Sequence, residues 1–225
     1  MREPVLNIES VSHWYSQDNL ILDAIDLDIY KGERFALIGP SGCGKSTLLR
    51  LIAGLEKPKE GIIRIRNEIV SDSNKMIPPE KRNLGLVVQE KALFPHMTVR
   101  ENITFGIRKT KKRNNIAFDL LKLFKIEALK DKFPHEISGG EQQRVALARS
   151  MAREPNLLML DEPFNALDQD LKAELYLEIS RIFSEKKVTL LLVTHDIDEA
   201  SILTQKQVNL VELRKPSNER NSFSK

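Results

Sequence analysis

Apolar and polar positions alternate with the period of strands through the first part of the chain, in "VLNIESVSHWY", in "LILDAIDLDIY" and in the compact "RFALIG". Helical spacing first appears after Gly44, in "KSTLLRLIAG", where Gly54 supplies a C-terminal cap. The runs "GIIRIRNEIV" and "NLGLVV" return to strand character. From Thr98 to about Arg153 the pattern is helical, and Thr98 and Glu101 have the spacing of a capping box at the head of "TVRENITFGI". "NLLMLDE" and "VTLLLVTHD" then read as buried parallel strands on either side of the amphipathic "QDLKAELYLEISRIFSEK". The pattern predicts one α/β domain over residues 1–213 with a helical insert at about 98–153, without repeats or a second domain. A polar tail, 214–225, and the basic stretch "RKTKKRNN" at 108–115 are expected to be solvated.

Composition narrows the reading. At 225 residues and 41% hydrophobic content the chain can build a substantial core. Its net charge of +3, from 35 basic and 32 acidic side chains, gives no bulk attraction for nucleic acid, and no nucleic-acid partner is expected. One cysteine, Cys43, excludes an internal disulfide and fits a reducing compartment. No run approaches the roughly 20 apolar residues of a membrane span, and "MREPVLNIES" lacks the apolar core of a signal peptide, so a cytoplasmic location is expected, with any membrane role passing through a partner.

The chemistry concentrates at a few places. "GPSGCGKS" fulfils G-x-x-x-x-G-K-[ST] between an apolar strand and a helix, the context in which such a loop wraps phosphate with successive backbone N–H groups. Gly39, Ser41, Gly42, Cys43, Gly44, Lys45, Ser46 and Thr47 are the expected phosphate ligands of an ATP molecule. Lys45 reaches the β and γ phosphates and Ser46 holds Mg²⁺. After "LLML" come Asp161, assigned to the metal, and Glu162, assigned as general base; the same pair on its own also reads as the acidic start of a loop. A second helix mouth stands at "ISGGEQQR", where Ser138 and Glu141 equally have the spacing of a capping box.

These motifs resemble the nucleotide-binding subunit of ATP-binding cassette (ABC) transporters, from about residue 5 to 203. The resemblance implies a P-loop NTPase fold of the ABC ATPase type: a mixed-sheet core, an inserted helical subdomain and an N-terminal antiparallel β subdomain. It also implies ATP and Mg²⁺ as ligands and hydrolysis coupled to transport. "ISGGEQQR" stands where the family carries its signature. Two subunits of that family join head to tail, so Ser138, Gly139 and Gly140 of one chain would cover the γ-phosphate on the other's P-loop. Ile137 and Glu141 depart from the usual leucine and glutamine, and Glu141 brings a negative charge toward the ligand. By the same resemblance Gln89 is the Q-loop glutamine near Mg²⁺ and the attacking water, His195 in "VTHD" is the switch histidine, and Asp168 in "FNALD" faces the dimer partner. Tyr15 is the aromatic that stacks on adenine, with Trp14 and a plain core role as competing readings.

The stretch "PPEKRNLGLVVQEKALFPHMTVRENITFGI" is closest in character to importer subunits for ferric iron, sulfate, molybdate, polyamines and sugars. The expected partners are a second cassette subunit, identical or paired, transmembrane permease subunits and a solute-binding protein, with the cassette peripheral on the cytoplasmic face of the inner membrane. An ATPase of an exporter or lipoprotein-releasing system is the alternative. A soluble cassette acting on DNA or ribosomes fits less well, because the long heptad arms or doubled cassettes of such proteins are missing. Thr204, Gln205 and Lys206 replace the family's usual Ala-Asp-Arg, which marks the last strand as atypical, and regulation through the C-terminal domain many such importers carry is not expected.

Overall fold

A computed structural model describes residues 3–16, 19–88, 92–107, 112–165, 167 and 169–213. Two sheets carry the strands. Strands β1 (Pro4–Trp14), β2 (Leu20–Tyr30), β4 (Glu60–Ile65) and β5 (Glu68–Ser71) form an antiparallel sheet in the order β2-β1-β4-β5. Strands β3 (Arg34–Ile38), β6 (Leu84–Val87), β7 (Leu157–Asp161), β8 (Leu190–Thr194) and β9 (Lys206–Asn209) form a parallel one in the order β6-β7-β8-β3-β9. The expected N-terminal antiparallel β subdomain is the first of these, and the core sheet, expected to be mixed, is parallel among the described residues. The atypical segment after Thr204 is β9, paired in parallel with β3.

The continuous apolar character of β3, β7 and β8 has a simple cause: both faces of the parallel sheet are covered. Alternate side chains enter two separate cores. Ala36, Leu158, Leu160, Leu190 and Leu192 pack with the helices α2 (Val99–Thr104), α3 (Lys112–Leu123), α4 (Gly139–Met151), α5 (Gln169–Glu185) and α6 (Ile197–Leu203). Phe35, Leu37, Leu157, Met159, Leu191 and Val193 pack instead with helix α1 (Lys45–Ala53) and the antiparallel sheet. Helix α1 is therefore clamped between two sheets by Leu48, Leu49, Leu51 and Ile52, all at most 2% exposed.

Two local predictions resolve further. The run "GIIRIRNEIV" is a hairpin rather than one strand, because Arg66 and Asn67 both adopt positive φ, 47° and 64°, as a tight two-residue turn demands. The helical insert contains α2, α3 and α4, and its capping box at Thr98 is formed in full. The part of 108–115 inside the described residues opens α3, while 214–225 lie outside them.

The P-loop helix is tied down at its far end by a residue that pattern reading passed over. Arg82, 2% exposed, donates to the carbonyls of Leu51 and Ile52 at 3.1 and 2.7 Å, to those of Ile77 and Val70 at 2.7 and 3.0 Å, and to Ser71 Oγ at 2.6 Å. Burial pushes its guanidinium down to about 10, which still leaves it charged at neutral pH. Gly54 closes α1 at φ 80°, and a Cβ there would stand 2.5 Å from Arg82 Nε, so this cap needs glycine twice over.

Candidate nucleotide site

The site grows from the carboxyl ends of β3, β7 and β8, where open α/β sheets place their ligands. Between Ile38 and Lys45 the chain turns from strand to helix. Gly44 caps α1 at φ 106°, and a Cβ on it would lie 2.9 Å from Leu22 Cδ2, so the backbone runs as close to β2 as it can. No side chain caps α1, and its first turn carries no acidic residue. In contrast, α2, α4 and α6 are capped by Thr98, Ser138 and Asp196. The first N–H groups of α1 consequently face a cavity of about 590 Å³ lined by Tyr15, Ser41, Gly42, Lys45, Ser46 and Asp161 among others.

Lys45 is 5% exposed, and its ammonium donates to the carbonyls of Gly39 and Pro40 at 2.7 and 3.0 Å, held within the loop it would leave to meet an anion. Ser46 donates to Asp161 Oδ1 at 3.1 Å, bringing together two oxygens from distant parts of the chain. Burial raises the Asp161 carboxyl above its ordinary range and Glu162 adds to the effect, with the Ser46 bond acting against both. Hard oxygen donors beside an uncapped helix mouth are the donor set that Mg²⁺ with phosphate prefers, so the residues fit such a group. Glu162 stands at φ 45°, its N–H bonded to Val193 O at 2.8 Å, which turns the side chain out of the sheet. One carboxylate oxygen lies 3.4 Å from His195 Nδ1 and the other accepts from Asn165 Nδ2.

Tyr15 is 56% exposed, which removes the core reading. Its hydroxyl donates to Glu56 Oε2 at 2.9 Å and lies 3.3 Å from Thr47 Oγ1, so the ring borders the phosphate loop. Asn165 and Glu56 were not singled out from the sequence. Asn165 lies inside "FNALD" and could have been suspected, whereas nothing local marks Glu56. Gly39 and Cys43 shape the loop from behind, with Cys43 Sγ filling the space a Cβ on Gly39 would need. Gln89 and Asp168 lie outside the described residues.

The structure does not bring Ser138, Gly139 and Gly140 to this cavity; they start α4 in the helical layer. There Ser138 Oγ accepts from the Glu141 N–H at 3.3 Å, and Glu141 Oε2 accepts from the Ser138 N–H at 2.7 Å. The capping box expected at this mouth is therefore formed, and the two glycines follow it in the first turn of α4.

Residues 22–165 match the sequence profile of the family described as ABC transporter. The chain belongs to the ABC transporter family. Its cassette is 45% identical over 196 residues, 85% of this chain and 52% of the relative, to the spermidine/putrescine import ATP-binding protein PotA of Nitratidesulfovibrio vulgaris. It is 46% identical over 181 residues, 80% of this chain and 50% of the relative, to the Fe(3+) ions import ATP-binding protein FbpC of Mesorhizobium japonicum. The chain spans about half the length of these curated relatives. Among solved structures, the ABC cassette aligns with cbiO1 of Clostridium perfringens, part of the transporter complex cbiONQ, at TM-score 0.80, 32% identity and 90% and 83% coverage of the two chains. It aligns with the dimeric post-hydrolysis cassette MJ0796 bound to ADP and Pi at TM-score 0.75, 30% identity and 91% and 94% coverage.

Proposed function

We propose that this cassette binds and hydrolyses Mg-ATP as a head-to-tail dimer, identical or paired, and that hydrolysis drives solute import through separate transmembrane permease subunits. The observation that carries the reading is the meeting of Ser46 with Asp161 at the uncapped mouth of α1, with Glu162 and His195 directly beside it. Lys45 and the loop N–H groups bind the phosphates. Ser46 and Asp161, with Gln89 as a further proposed ligand, would hold Mg²⁺, which would supply charge neutralisation of the phosphates. Glu162 takes the proton of the attacking water, and Asn165 and His195 hold its carboxylate at two separate oxygens. Tyr15 offers its exposed face to the adenine.

The second mouth completes the site in trans. Ser138, Gly139 and Gly140 cover the partner's γ-phosphate, and Asp168 contacts the partner. The dimeric cassette MJ0796, similar over most of both chains, supports a dimer as the working unit. The importer names PotA and FbpC support the direction of transport and, with it, a solute-binding protein outside the membrane and a cassette on its cytoplasmic face. No helix among the described residues is long and apolar enough to cross a membrane. A permease contact fits the seam at 93–105. Leu93 and Val99 face the core, but Phe105 is 55% exposed, its ring 4.3 Å from Phe94, over which Arg149 lies at 5.2 Å.

Lys45→Ala and Ser138→Ala separate the two halves of the composite site. Lys45→Ala is expected to weaken nucleotide binding to the monomer by about 10-fold or more. Ser138→Ala should leave that binding intact while reducing turnover by about 100-fold, the scale of removing one transition-state donor. Nucleotide affinity by fluorescence and hydrolysis by phosphate release provide the readouts. Equal loss of monomer affinity in both variants sinks the composite site.

A further inference from the structure

His195 is flanked by two residues that are each bonded to the first turn of α6. The Thr194 hydroxyl donates to Glu199 Oε2 at 2.6 Å and accepts from the Asp196 N–H at 3.0 Å. Asp196 Oδ1 accepts from the N–H groups of Asp198 and Glu199 at 2.9 and 3.0 Å, and Asp196 Oδ2 accepts from the Tyr176 hydroxyl of α5 at 3.3 Å. The three-residue turn that carries the imidazole is thus closed on both sides, by the Asp196 carboxylate on one and by the Glu199 carboxyl on the other. The second group is nearly sealed from water: Glu199 is 1% exposed and its Oε1 has no hydrogen-bond partner among the described residues. Nothing in the phosphate or metal chemistry calls for a buried acid here.

We infer that Glu199 is a positioning residue for His195: its sealed carboxyl holds the Thr194 hydroxyl and so closes the bonded turn that aims the imidazole at Glu162.

The surroundings favour the neutral form. Burial, with Asp196 and Glu162 adding to it, pushes the carboxyl up to about 8, against the opposing action of the Thr194 bond and of Lys172. From α5 the group meets Lys172 and Tyr176, from its own helix Asp196 and Asp198, and from the end of β7 Glu162. Strand β3, which also packs on α6, carries one charged side chain, Arg34, engaged with Ser180 O at 3.1 Å. The sign follows. The folded protein keeps a proton that the unfolded chain releases near the ordinary glutamate value, so the contribution to stability is complete below that value. It is lost as pH rises through about 8, where a carboxylate with one hydrogen bond would be left between two negative neighbours.

The test has two arms, of which only the second rests on the ATPase reading. In the first, the imidazole resonances of the full chain are followed by NMR. The chain has four histidines, and His195→Ala identifies the signal. The wild-type His195 resonance is expected to show a step centred near pH 8, which vanishes in Glu199→Gln and in Thr194→Val but survives in Thr194→Ser. In the second, kcat at saturating Mg-ATP falls by about threefold or more between pH 7.5 and 9 in the wild type, with KM changed less than about twofold, and stays level in Glu199→Gln. A glutamate that only filled space would lower melting temperature without touching the His195 signal. Persistence of the alkaline step in Glu199→Gln, or its absence from the wild type, overturns the inference. Absence of hydrolysis in every variant would count against the ATPase reading and leave the NMR arm to decide this one.

Discussion

Glu141 shows how one side chain can serve two masters. Its carboxylate accepts the Ser138 N–H at 2.7 Å, and that bond holds it below the ordinary glutamate range. A negative charge on the first turn of α4 favours the helix through its dipole, yet the same donors are those proposed to receive the partner's phosphate, where a second anion repels the first. Glu141→Gln keeps an acceptor for Ser138 and removes the charge. The expected outcome is a KM for Mg-ATP about 3-fold to 10-fold lower, together with a loss of about 0.3–1 kcal/mol of stability from the weakened dipole interaction. Steady-state kinetics and urea unfolding measure the two effects; an unchanged or higher KM means that Glu141 does not compete with the phosphate. The chemistry at this position was legible in the sequence as a departure from the usual glutamine, but only its hydrogen bonds reveal that the charge is already in use.

Helix α1 presents its free end to the site and depends on the other end for its position. Arg82 neutralises the C-terminal carbonyls of that helix and pins them to β5 and to the Ile77 carbonyl through five donated bonds. Arg82→Met fills a similar volume but leaves the Leu51, Ile52 and Val70 carbonyls and the Ser71 hydroxyl without this buried donor. It is expected to cost about 3–5 kcal/mol, read as a lower urea midpoint with an unchanged slope. Arg82→Lys, a point charge on a longer stem, restores only part of the loss. A variant within about 0.5 kcal/mol of wild type would show that water replaces the guanidinium freely. The start of α1 was readable from the P-loop motif and its end from Gly54, because both are local demands on the backbone. Arg82 was not, because its acceptors are drawn from three separate elements and no spacing along the chain encodes them.

For the molecule as a whole, the proposed mechanism makes assembly depend on nucleotide. With Glu162 changed to Gln, the one remaining side-chain oxygen can still accept from Asn165 while the base is lost, so Mg-ATP should be bound and not consumed. The expected result is a monomer without nucleotide that becomes a dimer with Mg-ATP, seen as an approximate doubling of mass by analytical ultracentrifugation. A monomer under all conditions, with nucleotide demonstrably bound, removes the head-to-tail arrangement.

The sequence by itself determined the P-loop, the strand character of β3, β7 and β8, the capping boxes at Thr98 and Ser138, and the candidate roles of Lys45, Ser46, Asp161, Glu162 and His195. All of these but the role of His195, which the family resemblance implies, are set by short-range periodicity or by motif spacing, so a single pass along the chain contains them. Only the tertiary structure decided that Ser46 meets Asp161, that Asn165 and His195 hold opposite oxygens of Glu162, that Tyr15 is exposed beside Thr47, and that Glu199 is sealed beneath the switch turn. Each of these facts depends on elements far apart in the chain meeting across a packed interface, or on water being excluded from a group that the sequence shows only as polar. The same limit explains why the hairpin at Arg66 read as one strand: apolar alternation continues across the turn, and the reversal of direction lies in two backbone angles that hydrophobicity does not report.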